Sequence, residues 1–181
     1  MSLELIVGPM FSGKSTELIR RVQRLQTIGK SLAVYNSVND DRYGIDGVYT
    51  HDMKSVQCIT TDTLMSQLHT PIFESADYIF IDEAQFFKDL FNFVRDIVDK
   101  HGKHVIVIGL NGDSNRIPFG QINDLLPYCD DITMLKALCS KCKDGTPGIF
   151  SKRIVENSGQ ICVGSIETYM ATCRKCFLEH L

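Results

Sequence analysis

The feature that most constrains this chain is a glycine-bounded loop that directly follows an apolar run near its N-terminus. Residues 3–16 read L-E-L-I-V-G-P-M-F-S-G-K-S-T, so Gly8, Gly13, Lys14 and Ser15 fit the pattern G-x-x-x-x-G-K-[ST]. In that pattern, backbone N–H groups surround nucleotide phosphates, the lysine reaches the β- and γ-phosphates, and the hydroxyl binds Mg²⁺. The alternative is a glycine-rich turn that caps a helix. The strand-like run before the loop and the amphipathic pattern after it favour the phosphate loop.

Each part of this loop has a physical task. Glycine suits positions where the chain turns through conformations that a Cβ forbids, or where backbone approaches a phosphate closely. The helix that follows directs its first free N–H groups and the positive end of its dipole at the anion. The sequence therefore predicts that a bound nucleotide contacts the loop and the first helical residues: Gly8, Pro9, Met10, Phe11, Ser12, Gly13, Lys14, Ser15 and Thr16.

Length and composition limit the class of protein. The 181 residues are 44% hydrophobic and 23% charged with a net charge of -3, which indicates one domain, or one domain with a small appendage. That charge provides no basic field for nucleic acid, and no apolar stretch approaches the roughly 18 to 20 residues of a membrane span. The seven cysteines are an odd number and no signal-peptide layout precedes them, which favours reduced thiols and metal ligation over disulfides. We expect a cytoplasmic protein that binds small molecules, and neither nucleic acid nor membrane.

Apolar residues alternate between strand-like and helical spacing along most of the chain. From Leu18 to Ile28 they recur every three or four positions, and Gly29 follows as the expected C-cap of a helix. Strands that alternate with helices predict an α/β fold: a P-loop mononucleotide-binding domain with a doubly wound, largely parallel sheet flanked by helices. The predicted strands are residues 3–7, 31–36, 78–83, 103–110 and 131–138, and further helices are predicted at 61–68 and 90–98.

The stretch from residue 39 to residue 60 has a different character. It is rich in Asp, Gly and Tyr and lacks helical periodicity, so we predict a hairpin-like excursion. In the simplest interpretation Asp40, Asp41 and Arg42 face solvent. The alternative is that they contact the nucleotide site.

An apolar run that ends in two carboxylates marks a second part of that site. Residues 78–83 read Y-I-F-I-D-E, which places Asp82 and Glu83 at the carboxyl end of a strand predicted to lie adjacent to the loop. Mg²⁺ prefers one or two carboxylates together with phosphate oxygens, and a second acid beside it can accept a proton. Because side chains alternate faces along a strand, we expect the two acids to have different tasks. The alternative is a strand end followed by solvated acids, and the upstream phosphate loop favours the metal site.

Two C-x-x-C pairs stand near the C-terminal end of the chain. Cys139, Cys142, Cys173 and Cys176 supply four thiolates, a tetrahedral set for Zn²⁺, and closed Cys₄ sites are structural. The 30 residues between the pairs exceed the roughly 15 to 20 of a usual zinc ribbon, so a larger loop is enclosed. A redox pair and unrelated buried thiols remain alternatives. We predict a nucleotide-binding domain over 1–138 and a small zinc-binding domain over 139–181.

Several short motifs spread over nearly the whole chain occur together with these features. They are T-H-D at residues 50–52, D-E-A-Q-F-F at 82–87, P-F-G at 118–120, F-S-K-R at 150–153, and Tyr169, four positions before the third cysteine of the zinc set. With the phosphate loop and the two cysteine pairs, they resemble the type II thymidine kinases of cytosol, bacteria and large DNA viruses.

The resemblance implies a kinase that uses ATP, Mg²⁺ and structural Zn²⁺ and transfers the γ-phosphate of ATP to the 5′-hydroxyl of thymidine. It implies that Glu83 is the catalytic base. Residues around Mg²⁺ and the phosphates would include Asp40, Arg42, Asp82, Glu83 and Gln85. A zinc-tethered lasso loop would bind the base largely through backbone hydrogen bonds, and aromatic side chains would surround the base. The residues that match the family's base-binding positions are Met10, Phe86, Leu110, Phe119, Ser151, Cys162, Val163, Gly164 and Tyr169.

The resemblance also implies a homotetramer that thymidine triphosphate inhibits. The chain departs from the family pattern at residues 111–114, which read N-G-D-S where many relatives have an L-D-G-T-F-type stretch with an aromatic at the position of Ser114. One wall of the base pocket is therefore expected to be looser. Ser165 replaces the second glycine of a common G-G pair, and we expect the lasso to bend differently there.

Three other functions fit parts of the sequence. One is a related deoxynucleoside kinase with a broader base range. A P-loop NTPase switch is the second, although the guanine-reading motif N-K-x-D does not occur in the sequence. The third is a zinc-ribbon binding module, which would need a basic patch for nucleic acid that this composition lacks.

Overall fold

The computed structural model describes residues 1–40, 47–49, 55–155, 159–160 and 167–179. Its strands, in chain order, are β1 (Ser2–Val7), β2 (Leu32–Ser37), β3 (Gly47–Tyr49), β4 (Ser55–Gln57), β5 (Ile59–Thr61), β6 (Tyr78–Ile81), β7 (His104–Gly109), β8 (Asp131–Met134), β9 (Ala137–Leu138), β10 (Pro147–Gly148), β11 (Phe150–Arg153) and β12 (Tyr169–Thr172). The α-helices are α1 (Lys14–Thr27), α2 (Pro71–Ser75), α3 (Leu90–Asp99) and α4 (Arg174–Leu178). Short 3₁₀ segments occur at Met65–Gln67, Ala84–Phe86 and Ile122–Tyr128.

Six of these strands form one parallel sheet in the order β5-β2-β6-β7-β1-β8. Alternate side chains of β1, β2, β6 and β7 enter two separate apolar clusters, as the two-residue period of a strand requires. In β7, Val105 and Val107 join the cluster under α2 and α3, whereas Ile106 and Ile108 join the cluster under α1 and the β3–β4 hairpin. The predicted α/β fold with a parallel sheet flanked by helices is confirmed.

Helix α1 has the boundaries that its sequence predicts. Leu18, Ile19 and Val22 are buried on one face. At its C-terminal end Gly29 has φ +71°, and the N–H groups of Gly29 and Lys30 donate to carbonyls of the last turn at 3.0 and 3.1 Å. These bonds satisfy helix carbonyls that would otherwise lack partners, and they require the left-handed conformation that glycine adopts readily. The predicted glycine-terminated end of the helix is confirmed, although the C-cap residue itself is Ile28 and Gly29 lies one position beyond it.

The region between β2 and β6 differs from the prediction in two places. The hairpin is present as the antiparallel pair β3–β4, but β5, which continues the main sheet beside β2, was not predicted. The helix predicted over 61–68 is wrong, because only one 3₁₀ turn forms there. Asp89 Oδ2 accepts from the Met65 N–H at 2.8 Å, and the Thr61 hydroxyl donates to the Thr63 carbonyl at 2.9 Å. Such side-chain bonds to backbone compete with helix formation.

Two predictions about the sheet itself need correction. The strand that precedes Asp82 is not adjacent to the strand of the phosphate loop, because β7 lies between β6 and β1. The single strand predicted over 131–138 is two strands, β8 and β9. The chain leaves the sheet at Leu135, whose N–H donates to the Val7 carbonyl at 2.7 Å.

The C-terminal part of the chain is built from short antiparallel pairs, β9–β10 and β11–β12, followed by α4. The predicted domain boundary at 138/139 stays a prediction, and β9 on its N-terminal side pairs with β10 on the other. Among the described residues, every helix is too short or too polar to cross a membrane.

Candidate active site

The phosphate loop joins β1 to α1 through two glycines with different requirements. Gly13 has φ +81° directly before the first residue of α1, so the turn itself requires glycine there. A Cβ on Gly8 would lie 2.5 Å from the carbonyl oxygen of Leu135. Gly8 therefore permits a close approach to the protein backbone at the end of β8, a reason that the sequence alone did not supply.

Polar groups of the loop face its interior. Lys14 is buried, and its Nζ donates to the Pro9 carbonyl at 2.9 Å. Ser12 Oγ is buried and has no hydrogen-bond partner among the residues that the structure describes. Ser15 and Thr16 lie in the first turn of α1. Buried polar groups normally have partners, so an unpartnered hydroxyl beside a buried lysine fits a loop whose partner is an anionic ligand.

Asp82 and Glu83 both lie beyond β6, which ends at Ile81. Glu83 has φ +45° and ψ +41°, a left-handed conformation that is uncommon for a residue other than glycine, and its N–H donates to Asp82 Oδ1 at 3.0 Å. The alternation of faces along a strand, which the sequence argument used, therefore does not apply to these two acids. A sharp backbone turn separates them instead. Holding such a turn costs about 1 to 3 kcal/mol, which the surrounding structure must offset.

Three acids and one lysine meet at this edge of the sheet. Asp82 is 3% exposed, and burial raises its pKa to about 7, with the negative charges of Glu83 and Asp40 acting in the same direction and Lys14 opposing them. Glu83, Asp40 and Lys14 therefore all lie within electrostatic range of Asp82. Clustered carboxylates with few compensating cations are a suitable donor set for Mg²⁺. Arg42, predicted to belong to the same cluster, lies outside the described residues.

Gln85 connects the acids to the end of β7. Its Nε2 donates to Glu83 Oε2 at 2.5 Å, and its Oε1 accepts from the Leu110 N–H at 3.0 Å. Two glycines leave room for it: a Cβ on Gly109 would lie 2.4 Å from Gln85 Oε1, and a Cβ on Gly120 would lie 2.2 Å from the Gln85 carbonyl oxygen. Sequence reasoning gave no structural role to these glycines, although Gly120 belongs to the P-F-G motif.

Four of the residues predicted to surround the nucleoside base form two contacts with each other. The rings of Phe86 and Phe119 meet edge to face at 5.7 Å. The Met10 N–H donates to the buried Ser151 Oγ at 2.9 Å, which joins the phosphate loop to β11. Tyr169 begins β12, and its hydroxyl accepts from an Arg153 guanidinium N–H at 3.2 Å. Three further predicted positions lie outside the described residues: Cys162, Val163 and Gly164.

The four cysteines of the C-x-x-C pairs converge. Their sulfur atoms all lie within 4.8 Å of one another, and Cys142 Sγ is 3.8 Å from that of Cys173 and 3.5 Å from that of Cys176. A tetrahedral site with Zn–S bonds of about 2.3 Å has sulfur atoms about 3.8 Å apart. Burial opposes ionisation of the Cys139 thiol, but nearby backbone N–H donors lower its pKa to about 6. The cluster is compatible with zinc, and its convergence counts against unrelated buried thiols.

A parallel sheet with this loop after its first strand, and with an acid at the end of β6, one strand further away across β7, defines a P-loop nucleotide-binding protein. The chain belongs to the thymidine kinase family, whose model matches residues 1–177.

Relatives from plants and viruses agree with this assignment. A thymidine kinase of Oryza sativa subsp. japonica is 40% identical over 98% of this chain and 66% of its own length. Thymidine kinase a of Arabidopsis thaliana is 39% identical over 99% of this chain and 76% of its own. A thymidine kinase of fowlpox virus is 37% identical over 99% of this chain and 98% of its own. The chain thus spans about two thirds of the rice relative and nearly all of the viral one.

Proposed function

We propose that this protein transfers the γ-phosphate of ATP to the 5′-hydroxyl of thymidine, and that Glu83 is the base that accepts the hydroxyl proton. Membership of the thymidine kinase family supports the reaction. The observation that carries the role of Glu83 is the hydrogen bond from Gln85, which fixes the orientation of its carboxylate in the short segment that also contains Phe86 and the buried Asp82.

Phosphoryl transfer depends mainly on positioning and on neutralising charge. We assign the nucleotide phosphates to the phosphate loop, where Lys14 supplies a cation and α1 directs its N–H groups at the anion. Asp82, with Asp40 nearby, would hold Mg²⁺, which when bound neutralises phosphate charge. Arg42 and Gln85 stay predictions for the same region. Glu83 and the Leu110 N–H both bind the side-chain amide of Gln85, so we propose that Gln85 orients the carboxylate of Glu83.

Thymidine would lie on the side of the site that Phe86 and Phe119 line. The proposed contacts on this side are Met10, Phe86, Leu110, Phe119, Ser151 and Tyr169, together with Cys162, Val163 and Gly164. Zn²⁺ on the four cysteines would be structural, since all four positions are taken by thiolates. A homotetramer, inhibition by thymidine triphosphate and a cytoplasmic location stay predictions that follow from the family.

A direct assay tests this function. Purified protein is incubated with Mg²⁺ and ATP labelled at the γ-phosphate, and transfer is measured to thymidine, deoxyuridine, deoxycytidine and deoxyguanosine. We expect transfer to thymidine and little to deoxyguanosine. Comparable rates with deoxycytidine would favour the broader nucleoside kinase, which the departure at residues 111–114 makes the second candidate. Hydrolysis of ATP with transfer to none of the four would contradict the proposal.

A further inference from the structure

The loop formed by residues 111–118 is closed around one buried carboxylate. Asp113 is 6% exposed, and its Oδ1 accepts from the N–H groups of Asn115 and Ile117 at 2.8 and 2.9 Å. The Asp113 N–H in turn donates to the Ile117 carbonyl at 2.9 Å. One carboxylate oxygen therefore shapes the loop, which leaves Oδ2 available for a contact outside it.

That second oxygen binds a residue far away in the sequence. Asp113 Oδ2 accepts a hydrogen bond from Gln160 Nε2 at 3.0 Å, and the same Nε2 lies 3.4 Å from the Pro118 carbonyl oxygen. Phe119, one half of the ring pair, directly follows Pro118. The side chain of Gln160 therefore fixes the C-terminal segment to the loop that leads into the nucleoside side of the site.

Arg153 binds the backbone of the same segment. Its Nη1 donates to the Gly159 carbonyl at 2.8 Å, and its Nη2 donates to the Gln160 carbonyl at 3.1 Å and to the Tyr169 hydroxyl at 3.2 Å. Arg153 of β11 is paired with Tyr169 of β12 in register. The backbone at 159–160 is thus tied to the β11–β12 pair, while the side chain of Gln160 is tied to the 111–118 loop.

We propose that Asp113 and Gln160 are a pair of positioning residues that sets the spacing between the Phe119 side and the Tyr169 side of the nucleoside site, and so sets affinity for the nucleoside. The inference rests on the proposed function. Both residues act through their neighbours, so their loss weakens nucleoside binding more than it slows the chemical step. ATP binding is unaffected, because the pair has no contact with the phosphate loop in the described part of the chain.

Three variants isolate the bond between the two side chains. Asp113→Asn keeps Oδ1 for the two loop N–H groups, removes the charge and turns a donor toward Gln160 Nε2. A flip of the Gln160 amide is opposed because it would place Oε1 against the Pro118 carbonyl oxygen. Losing a hydrogen bond to a charged group should raise KM for thymidine about tenfold, with kcat and KM for ATP within about twofold of wild type. Gln160→Glu faces one carboxylate with another and should raise KM at least as much. The double variant Asp113→Asn/Gln160→Glu reverses donor and acceptor and should return KM to within about threefold of wild type.

Hydrogen exchange provides a readout that does not depend on activity. In zinc-loaded protein without substrates, we expect peptides that contain Gly159 and Gln160 to exchange faster in each single variant, and at the wild-type rate in the double variant. Asp144→Asn is the matched control, because Asp144 Oδ1 also closes a turn by accepting from the Thr146 N–H at 2.9 Å. It should change neither KM nor exchange at 159–160.

The two readouts separate the failure of this inference from failure of the proposed function. If wild-type protein phosphorylates no nucleoside, the proposed function is wrong, and the exchange data alone decide whether the pair holds the segment. If the two single variants have wild-type KM and hydrogen exchange, or if their effects add in the double variant, the proposed role of the Asp113–Gln160 pair is wrong. Circular dichroism and zinc content verify folding. Gln160→Glu changes an exposed side chain and stays informative if Asp113→Asn does not fold.

Discussion

The sheet and the C-terminal segment (residues 137–179) are stabilised by different interactions. In β1 and β7 nine of the twelve residues are buried, and both faces of the sheet are covered by apolar clusters. In the C-terminal segment the buried apolar residues are few, and most are small: Ala137, Cys139, Tyr169, Ala171 and Cys176 among those described. A segment with so little apolar surface to bury needs another source of stability.

Polar and aromatic contacts provide part of that stability. Lys152 Nζ donates to three carbonyls at the end of α4, with the shortest contact, to Glu179, at 2.6 Å. The guanidinium of Arg116 lies 5.5 Å from the ring centroid of Phe150 and 4.6 Å from that of Phe177. Exposed contacts of this kind are worth roughly 0.5 to 1 kcal/mol each, so we expect the proposed zinc site to contribute more than any of them. The two regions should therefore respond differently to the same kind of damage.

The largest expected effect follows from removal of the metal. Cys173→Ser should release about one zinc per chain, disorder the C-terminal segment and abolish thymidine phosphorylation, since a structural zinc site contributes roughly 10 to 16 kcal/mol of binding free energy to folding. ATP binding and the helical signal of the sheet domain should persist. Metal analysis, circular dichroism and nucleotide titration measure the three effects.

The control for this variant is Cys58→Ser, which changes a half-buried thiol packed against the sheet core and should keep its zinc. Wild-type protein purified under reducing conditions without stoichiometric zinc would contradict the assignment of the cluster. If Cys173→Ser no longer bound ATP, this would contradict the expectation that the sheet domain keeps its fold when the C-terminal segment is disordered.

Lys14→Ala should impair the nucleotide site and leave the C-terminal segment and its zinc unchanged. The γ-phosphate loses its cation, so turnover should fall by at least about 10² to 10³-fold, the usual cost of removing one electrostatic contact to the transition state. Zinc content and circular dichroism should stay at wild-type values. Lys100→Ala removes an exposed lysine that directly follows α3 and serves as control. Turnover near wild type would contradict the assignment of the loop.

An effect of similar size is expected for Glu83→Gln, which keeps the side-chain shape but removes the proton acceptor. We expect kcat to fall roughly 10² to 10⁴-fold, the usual contribution of general-base catalysis, with thymidine and ATP binding retained. Steady-state kinetics beside calorimetry with thymidine and a non-hydrolysable ATP analogue measures the difference. If Glu83→Gln turns over at the wild-type rate while Asp82→Asn does not, Glu83 is not the base.

The smallest effect concerns the hydrogen bond that joins the two regions. Ser151→Ala leaves the buried Met10 N–H without its acceptor, which should lower the free energy of unfolding by about 1 to 3 kcal/mol. Ser75→Ala removes an exposed hydroxyl on α2 and should change it far less. Urea denaturation of the zinc-loaded variants measures both values. Equal effects of the two substitutions would show that the Met10–Ser151 bond contributes little.

The sequence predicted the parts of this molecule whose cause is local. The phosphate loop, α1 with its glycine cap, and the cysteine pairs depend on residue type at short spacing, and the structure has all of them. The order of β6, β7 and β1 could not be read in this way, because strand order depends on packing between distant segments. The helix predicted over 61–68 failed for a related reason, since Asp89, more than twenty positions away, binds the Met65 N–H.

The candidate site shows the same division. Glu83 and Asp82 are visible in the sequence as a pair of acids, but the left-handed turn that separates them is a property of the folded backbone. Gly109 has no local signal, because its importance comes from Gln85 Oε1 lying where a Cβ would be. The contact between Asp113 and Gln160 joins residues 47 positions apart, which spacing alone does not predict.

The bond between Met10 and Ser151 has a thermodynamic consequence for the order in which two ligands bind. One end lies in the loop assigned to ATP, and the other lies in β11, which leads into the segment assigned to thymidine. Coupling between two binding sites is reciprocal. Any free energy by which a bound nucleotide tightens nucleoside binding through this bond must equal the free energy by which the nucleoside tightens nucleotide binding. The heterotropic cooperativity of the two substrates is therefore measurable from either side, and Ser151→Ala should reduce both values equally.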